Sequence, residues 1–378
     1  MLHKAFPFKH AFQRLQHLRM FAVALACALT GLLPATAAAE TLRVLSWPGY
    51  VSPEAIRAFE LRHKVSVELI EVTSDEELWE RANLIDERRF DVLAVNTAEL
   101  QRYIQKNLVQ ALDTASLPNV HHQLRRFRSG NIPGVMADGK VWALPFTYSS
   151  MGLIYNRRFV KDAPQSMSAL WDPRYQQRIA LHNSGSHHFS FTALSLGVRT
   201  PFNLEGEQFR NTFNRLLSLR SNEPRFYATP EDLVALFREH DIALAFANYG
   251  DQQVRLLRKA GFDVGYVLPN EGALAWLDCW AVLSHTSDKA LAHAWLNHML
   301  SSNVAQHLTE TQGLSNTLRE TQSGPRSDRD KLIWLEPVEA PLNRARQWER
   351  FMAGARAVPR PQSAPAAAPT QSPPAATP

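Results

Sequence analysis

The sequence predicts an α/β protein built as two lobes. Strand-period and helix-period segments alternate from Thr41 onward, and roughly 320 residues lie between an N-terminal leader and a Pro/Ala-rich tail, room for two domains of ordinary size. One cysteine remains in that span, Cys279, so burial in a large core, not a disulfide, must supply the stability.

The leader reads as a secretory signal peptide. Lys4, Lys9, Arg14 and Arg19 precede an apolar run from Met20 to Leu33, which is too short to span a bilayer comfortably, and the small residues Ala35 to Ala39 suit cleavage between Ala37 and Glu40. Export to the periplasm is the expectation. Removing residues 1–39 takes away four of the 41 basic residues and none of the 36 acidic ones, so the formal charge of +5 falls by four to +1. A nearly neutral mature chain gives no electrostatic case for nucleic acid or an anionic membrane. Residues 358–378 are almost wholly Pro, Ala, Ser, Thr and Gln, which cannot bury a core, and are expected to be a disordered tail.

Thr41 to Ser46 alternates like a strand, Pro53 to Lys64 has helical spacing with a proline in its first turn, and Val65 to Val72 alternates again. Ser74 then predicts a helix N-cap, with Glu77 as its capping-box partner. Asp91 to Val95 supplies a buried strand, and a helix follows around Glu99 to Lys106. Lys140 to Tyr148 and Gly152 to Asn156 predict two strands around a small-residue turn, after which helix and strand alternate to about Val267. No P-loop, GxGxxG fingerprint or paired-cysteine spacing occurs, so no motif implies a cofactor. In open α/β sheets ligands sit beyond the carboxyl ends of strands, and the loops there are where function is sought.

Those loops carry an ordered series of motifs. They are Trp47 to Tyr50 with Pro53-Glu54; Thr73 to Leu78; Phe90 to Leu93; Leu117 to Asn119; Ala143 to Thr147 with Tyr155-Asn156; Leu170 to Pro173; Ala247 to Asp251; Leu268 to Gly272; and Trp276 to Asp278. With a closing helix at Arg344 to Ala355, the series resembles the polyamine-binding branch of periplasmic solute-binding proteins, the putrescine and spermidine receptors of ABC importers, across residues 41 to 356. The resemblance implies the two-lobed type II periplasmic-binding-protein fold, with mostly parallel or mixed sheets, crossover strands at a hinge, and ligand enclosed as the lobes close. It places lobe one at 41–146 plus about 277–318, and lobe two at 147–276 plus about 319–357. It further implies a small-amine ligand, an inner-membrane ABC permease as partner, a monomer, and no catalysis.

An ammonium ligand needs carboxylates and aromatic faces. Trp276 and Asp278 stand two apart on a strand and so face one side. They match the family's Trp-x-Asp, and Trp47 and Tyr50 match its aromatics after the first strand. Asp251 matches a carboxylate of putrescine-type members, although it could equally cap the helix that follows; Asn248 replaces the family's aromatic ring before it, and Tyr249 could substitute. Asn96 ends a strand, where it suits either ligand contact or a turn. The chain departs from the family at Pro48 and Gly49, where polyamine receptors carry Ser and Asp, at Leu314, where a Tyr is expected, and at Asn183 to His188, which replaces a loop that normally brings acids. These departures predict one ammonium held by Asp278 and Asp251, with a neutral or anionic end facing Ser184, Ser186, His187 and the helix start after them. Three other readings stay open: a metal or other cation on His182, His187 and His188; a hydrolase using His187 with Ser184 or Ser186; and a receptor read by a membrane sensor.

Overall fold

The computed structural model describes residues 40–84, 89–132, 134–320 and 331–356. The leader and the tail expected at 358–378 lie outside the described residues.

β1 (Thr41–Ser46) leads to α1 (Pro53–His63), where Ser52 Oγ accepts the Ala55 N–H at 3.0 Å, and on to β2 (Ser66–Glu71), paired in parallel with β1. α1 ends where Lys64 takes the left-handed conformation at φ 57°. α2 (Asp75–Ala82) starts as expected, with Ser74 Oγ accepting the Glu77 N–H at 3.1 Å. Glu77, however, returns to the N–H of Thr73 at 3.0 Å, one residue before the cap. β3 (Val92–Asn96), buried along its whole length, adds parallel to β1 and runs straight into α3 (Thr97–Gln105).

A small hairpin, β4 (Met136–Ala137) and β5 (Lys140–Val141), precedes β6 (Leu144–Met151) and β7 (Leu153–Asn156). Gly152 between these last two does not turn a hairpin, as the sequence had predicted. It passes the chain from one sheet to another, and a Cβ there would lie 2.3 Å from the Val267 carbonyl oxygen.

The second sheet is built from β8 (Ile179–His182), α4 (Ser186–Ser195), α5 (Gly206–Ser218), β9 (Arg225–Tyr227), α6 (Pro230–Glu239), β10 (Leu244–Phe246), α7 (Asp251–Lys259) and β11 (Val264–Val267). β12 (Ala273–Val282) returns the chain to the first sheet, followed by α8 (Lys289–Met299), α9 (Ser302–His307), β13 (Ser315–Asn316), β14 (Leu332–Trp334) and α10 (Pro341–Arg356).

The result is a seven-stranded sheet of order β13-β6-β12-β3-β1-β2, with β14 also on β12, and a five-stranded sheet of order β11-β7-β10-β8-β9. Both are mixed: β1, β2 and β3 run parallel, as do β8, β9 and β10, while β12 is antiparallel to β3 and β6, and β7 to β10 and β11. The boundaries expected at 146/147 and 276/277 fall inside β6 and β12, and the chain changes sheets at Gly152 and again between β11 and β12.

α10 is pinned to the second sheet's helices by Arg344, which is fully buried. Its guanidinium pairs with Glu339 at 2.7 Å and donates to Ser190 Oγ at 2.8 Å and the Pro201 carbonyl at 3.0 Å. About one turn further along the same helix, Trp348 stacks on His188 at 4.5 Å.

Candidate functional site

The carboxyl ends of strands from both sheets converge on one cavity. From the seven-stranded sheet come Trp47 and Tyr50 after β1, Thr73 to Asp75 after β2, Asn96 ending β3, and Trp276 and Asp278 within β12. The five-stranded sheet contributes His182 and Ser184 with His187 at the start of α4, and Asn248 and Tyr249 after β10. Leu335, just past β14, completes the lining. The space open to the centre of a water molecule is ≈ 40 Å³, within ≈ 440 Å³ of atom-free volume that includes the mouth. A slim ligand fits; a bulky one does not.

Register explains why the cavity sits there. β12 uses one edge for β6, so β3 and β14 must share the other: Asp278 faces Asn96, and Ala275 faces Trp334. β3 is antiparallel to β12 and β14 parallel, so their carboxyl ends approach head-on and leave Trp276 and Leu277 between them. The Leu335 N–H bonds the Ala275 carbonyl at 2.9 Å and closes that end.

Asp278 is the best-defined polar group. Tyr50 donates its hydroxyl to Asp278 Oδ2 at 2.6 Å, and that bond favours the carboxylate, but burial outweighs it and pushes the pKa up to about 7. Asp75, which the sequence reading did not name as a site residue, is the second carboxylate; its Oδ1 accepts from Asn96 Nδ2 at 3.0 Å. Burial first, then the neighbouring charges of Glu99, Glu76 and Asp278, hold its pKa well above the usual carboxylate range, with Arg102 acting in the opposite direction. None of the lining residues is Lys or Arg. The walls are aromatic: Trp276 lies 6.2 Å from Tyr50 and donates its indole N–H to the Asn248 carbonyl at 3.0 Å, tying the two sheets together, while the Trp47 indole donates to the Ala94 carbonyl at 3.0 Å.

The structure brings together Trp47, Tyr50, Asn96, Ser184, His187, Tyr249, Trp276 and Asp278 from the sequence-derived set. Asp251 is placed otherwise. It is the first residue of α7, outside the cavity lining, and the helix cap is Gly250, so it neither joins the site nor caps the helix. Asn96 fills both roles left open for it: its Oδ1 caps α3 by accepting the Glu99 N–H at 2.9 Å while its Nδ2 positions Asp75. The alternative pairing of His187 with Ser184 or Ser186 is not seen among the hydrogen bonds of the described residues; His187 Nδ1 engages Asn248 Oδ1 at 3.0 Å and His188 Nδ1 the Ser184 carbonyl. Burial depresses the pKa of His182 to about 3 and lowers that of His187, which leaves both imidazoles neutral at neutral pH. Among the described residues no three His, Cys, Asp or Glu side chains group as metal ligands. Among them, too, no helix is long and apolar enough to cross a membrane.

Two mixed sheets flanked by helices, with ligand-sized space at their facing strand ends, define a type II periplasmic-binding-protein fold. Residues 54–333, well over half of the chain, match the family described as bacterial extracellular solute-binding protein, and the chain belongs to it. It is similar to the putrescine-binding periplasmic protein PotF of Escherichia coli, at 24% identity over 363 residues, covering 86% of this chain and 96% of the relative. Among solved structures it resembles the spermidine/putrescine ABC transporter substrate-binding protein PotD of Streptococcus pneumoniae, with a TM-score of 0.64 at 17% identity, covering 84% of this chain and 99% of that one. A GABA receptor superposes as well, with a TM-score of 0.64 at 15% identity over 86% of this chain and all of the other.

Proposed function

We propose that this chain is the periplasmic ligand-capturing component of an ABC importer for a small primary amine, and that it carries its ligand unchanged, as a monomer, to an inner-membrane permease. The observation that supports this most directly is the pair of carboxylates, Asp278 buried and Asp75 half-buried, in an aromatic cavity lined by no basic side chain other than neutral imidazoles. An ammonium supplies the missing counter-charge and further charged donors beside those of Tyr50 and Asn96, and the rings of Trp47, Tyr50 and Trp276 accept its cation-π and methylene contacts. The names of the relatives, which refer to putrescine, spermidine and GABA, are all consistent with a primary amine.

In this reading the two sheets are the cores of two lobes that close on the ligand, with the chain crossings at Gly152 and between β11 and β12 as the hinge. The test is a thermal-shift screen of the exported chain against di-, tri- and mono-amines, since binding stabilises by RT ln(1 + [L]/Kd). A shift abolished in Asp278→Asn is expected. If no amine shifts the transition, the reading fails. Co-purification with inner-membrane ABC permease subunits would test the partner.

A further inference from the structure

The cavity is electrostatically one-ended. Asp75 bonds Asn96 Nδ2, and Asp278 is the cross-strand partner of that same Asn96, so both carboxylates flank one residue at the β3 end. The remaining polar side chains of the lining, Thr73 and Ser74 beside Asp75 and, across the cavity from the five-stranded sheet, Ser184, Asn248, Tyr249 and the two imidazoles, are uncharged. About three residues along β12 from Asp278, roughly 10 Å at strand rise, the far end is closed by the apolar side chain of Leu335.

The imidazoles state what they want from a ligand. His182 Nε2 lies 3.2 Å from the Ala228 carbonyl, which can only accept, so Nε2 carries the proton and Nδ1 presents a lone pair. That Nδ1 is buried with no partner, in a residue 3% exposed that lines the cavity. His187 Nδ1 donates to Asn248 Oδ1 at 3.0 Å, so its Nε2 is a lone pair as well. A carboxylate at this wall would set oxygen lone pairs against nitrogen lone pairs and add a further anion to a cavity that already holds two acids. A second ammonium would find acceptors but no counter-charge, and a buried unpaired cation is strongly disfavoured.

We infer that the ligand is a primary monoamine whose other end is an uncharged hydrogen-bond donor, a hydroxyl or a carboxamide, seated against His182, His187 and Asn248. This rests on the amine-binding reading above and narrows it.

The experiment is titration calorimetry on the exported chain with four ligand types matched at three to five carbons: amino-alcohol, amino-carboxamide, diamine and ω-amino acid. The amino-alcohol or amino-carboxamide is expected to bind at least tenfold tighter than the diamine and the amino acid of equal length. Tighter binding of a diamine or of an amino acid overturns this inference and leaves the amine reading standing. Failure of all four to bind overturns both. Two variants give an independent arm: His187→Glu or Leu335→Glu puts a carboxylate at the neutral end, and either, if folded, should shift the diamine to amino-alcohol affinity ratio at least tenfold toward the diamine. An unchanged ratio in a folded variant also overturns the inference.

Discussion

Replacing Asp278 by asparagine should make the ligand-free protein more stable, by an amount that grows as pH rises from about 4 to about 7 and is level above that. Burial raises the Asp278 pKa from 3.8 to about 7. A carboxyl whose folded pKa exceeds its unfolded value favours the fold fully below 3.8, and that contribution is lost as pH rises through about 7. Asparagine matches the protonated acid in shape, cannot ionise, and still offers Oδ1 to the Tyr50 hydroxyl. Between pH 4.5 and pH 8.5 the stability of Asp278→Asn relative to the parent should therefore grow by about 3 kcal/mol, at 1.36 kcal/mol per unit of pKa displacement. Urea unfolding followed by tryptophan fluorescence at the two pH values measures this directly. The Asp75 carboxyl, raised partly by Asp278, would move in the same direction. A variant less stable than the parent at pH 8.5, or a difference of equal size at both pH values, would refute the assignment of Asp278 as a carboxylate held at a cost in the empty cavity.

Amine affinity should fall about a hundredfold from pH 8 to pH 5, because only the ionised form of Asp278 pairs with an ammonium that stays protonated throughout; calorimetry at the two values checks it, and an affinity equal at both would refute it. Trp276→Ala removes a cavity wall and the indole bond to Asn248, and should weaken amine binding by about 1 to 2 kcal/mol while leaving the circular dichroism spectrum unchanged. Arg344→Ala leaves Glu339 without its buried partner and should cost about 3 to 5 kcal/mol in urea unfolding with no change in ligand preference. Gly152→Ala forces a Cβ against the Val267 carbonyl at the sheet crossing and should cost about 1 to 3 kcal/mol, read from the same unfolding curves.

What could be read from the sequence was what local chemistry decides. Pro53 in the first turn of α1, and Ser74 ahead of its acidic turn, announce their helices because helix starts are settled within four residues. Trp276 and Asp278 were found because they match the Trp-x-Asp of the family the sequence resembles, and a strand places residues two apart on one face. Asp75 was overlooked because the same residue serves as a first-turn acid of α2, and nothing local distinguishes that from a site residue. Its place depends on β2 and β3 ending at the same end of β1, which lies between them, and on Asn96 reaching across to it. Leu335 gave no signal at all, since its position follows from β14 pairing with a strand that begins at Ala273. Asp251 misled in the opposite way: its neighbours Asn248 and Tyr249 do line the cavity, but the backbone enters α7 at Asp251 and carries the carboxyl out of the lining.

Gly49, where polyamine receptors carry an acid, shows how the two halves of the cavity rim are matched. Its φ is +81°, and a Cβ would lie 2.6 Å from both Gln252 Nε2 and Gln312 Oε1. The acid is absent because two amides fill its space: Gln252, at the start of α7, donates to the Pro48 carbonyl and to Gln312 Oε1, each at 3.1 Å. These are neutral hydrogen bonds, each worth on the order of 1 kcal/mol net, and Gln252 Oε1 is left buried without a partner. In the proposed reading the ionisation of Asp278, which burial disfavours, opposes closure. In the proposed reading the amides therefore align the lobes without holding them shut. The ammonium that neutralises Asp278 tips the balance toward closure, so the closed surface presented to a permease reports that the cavity is occupied.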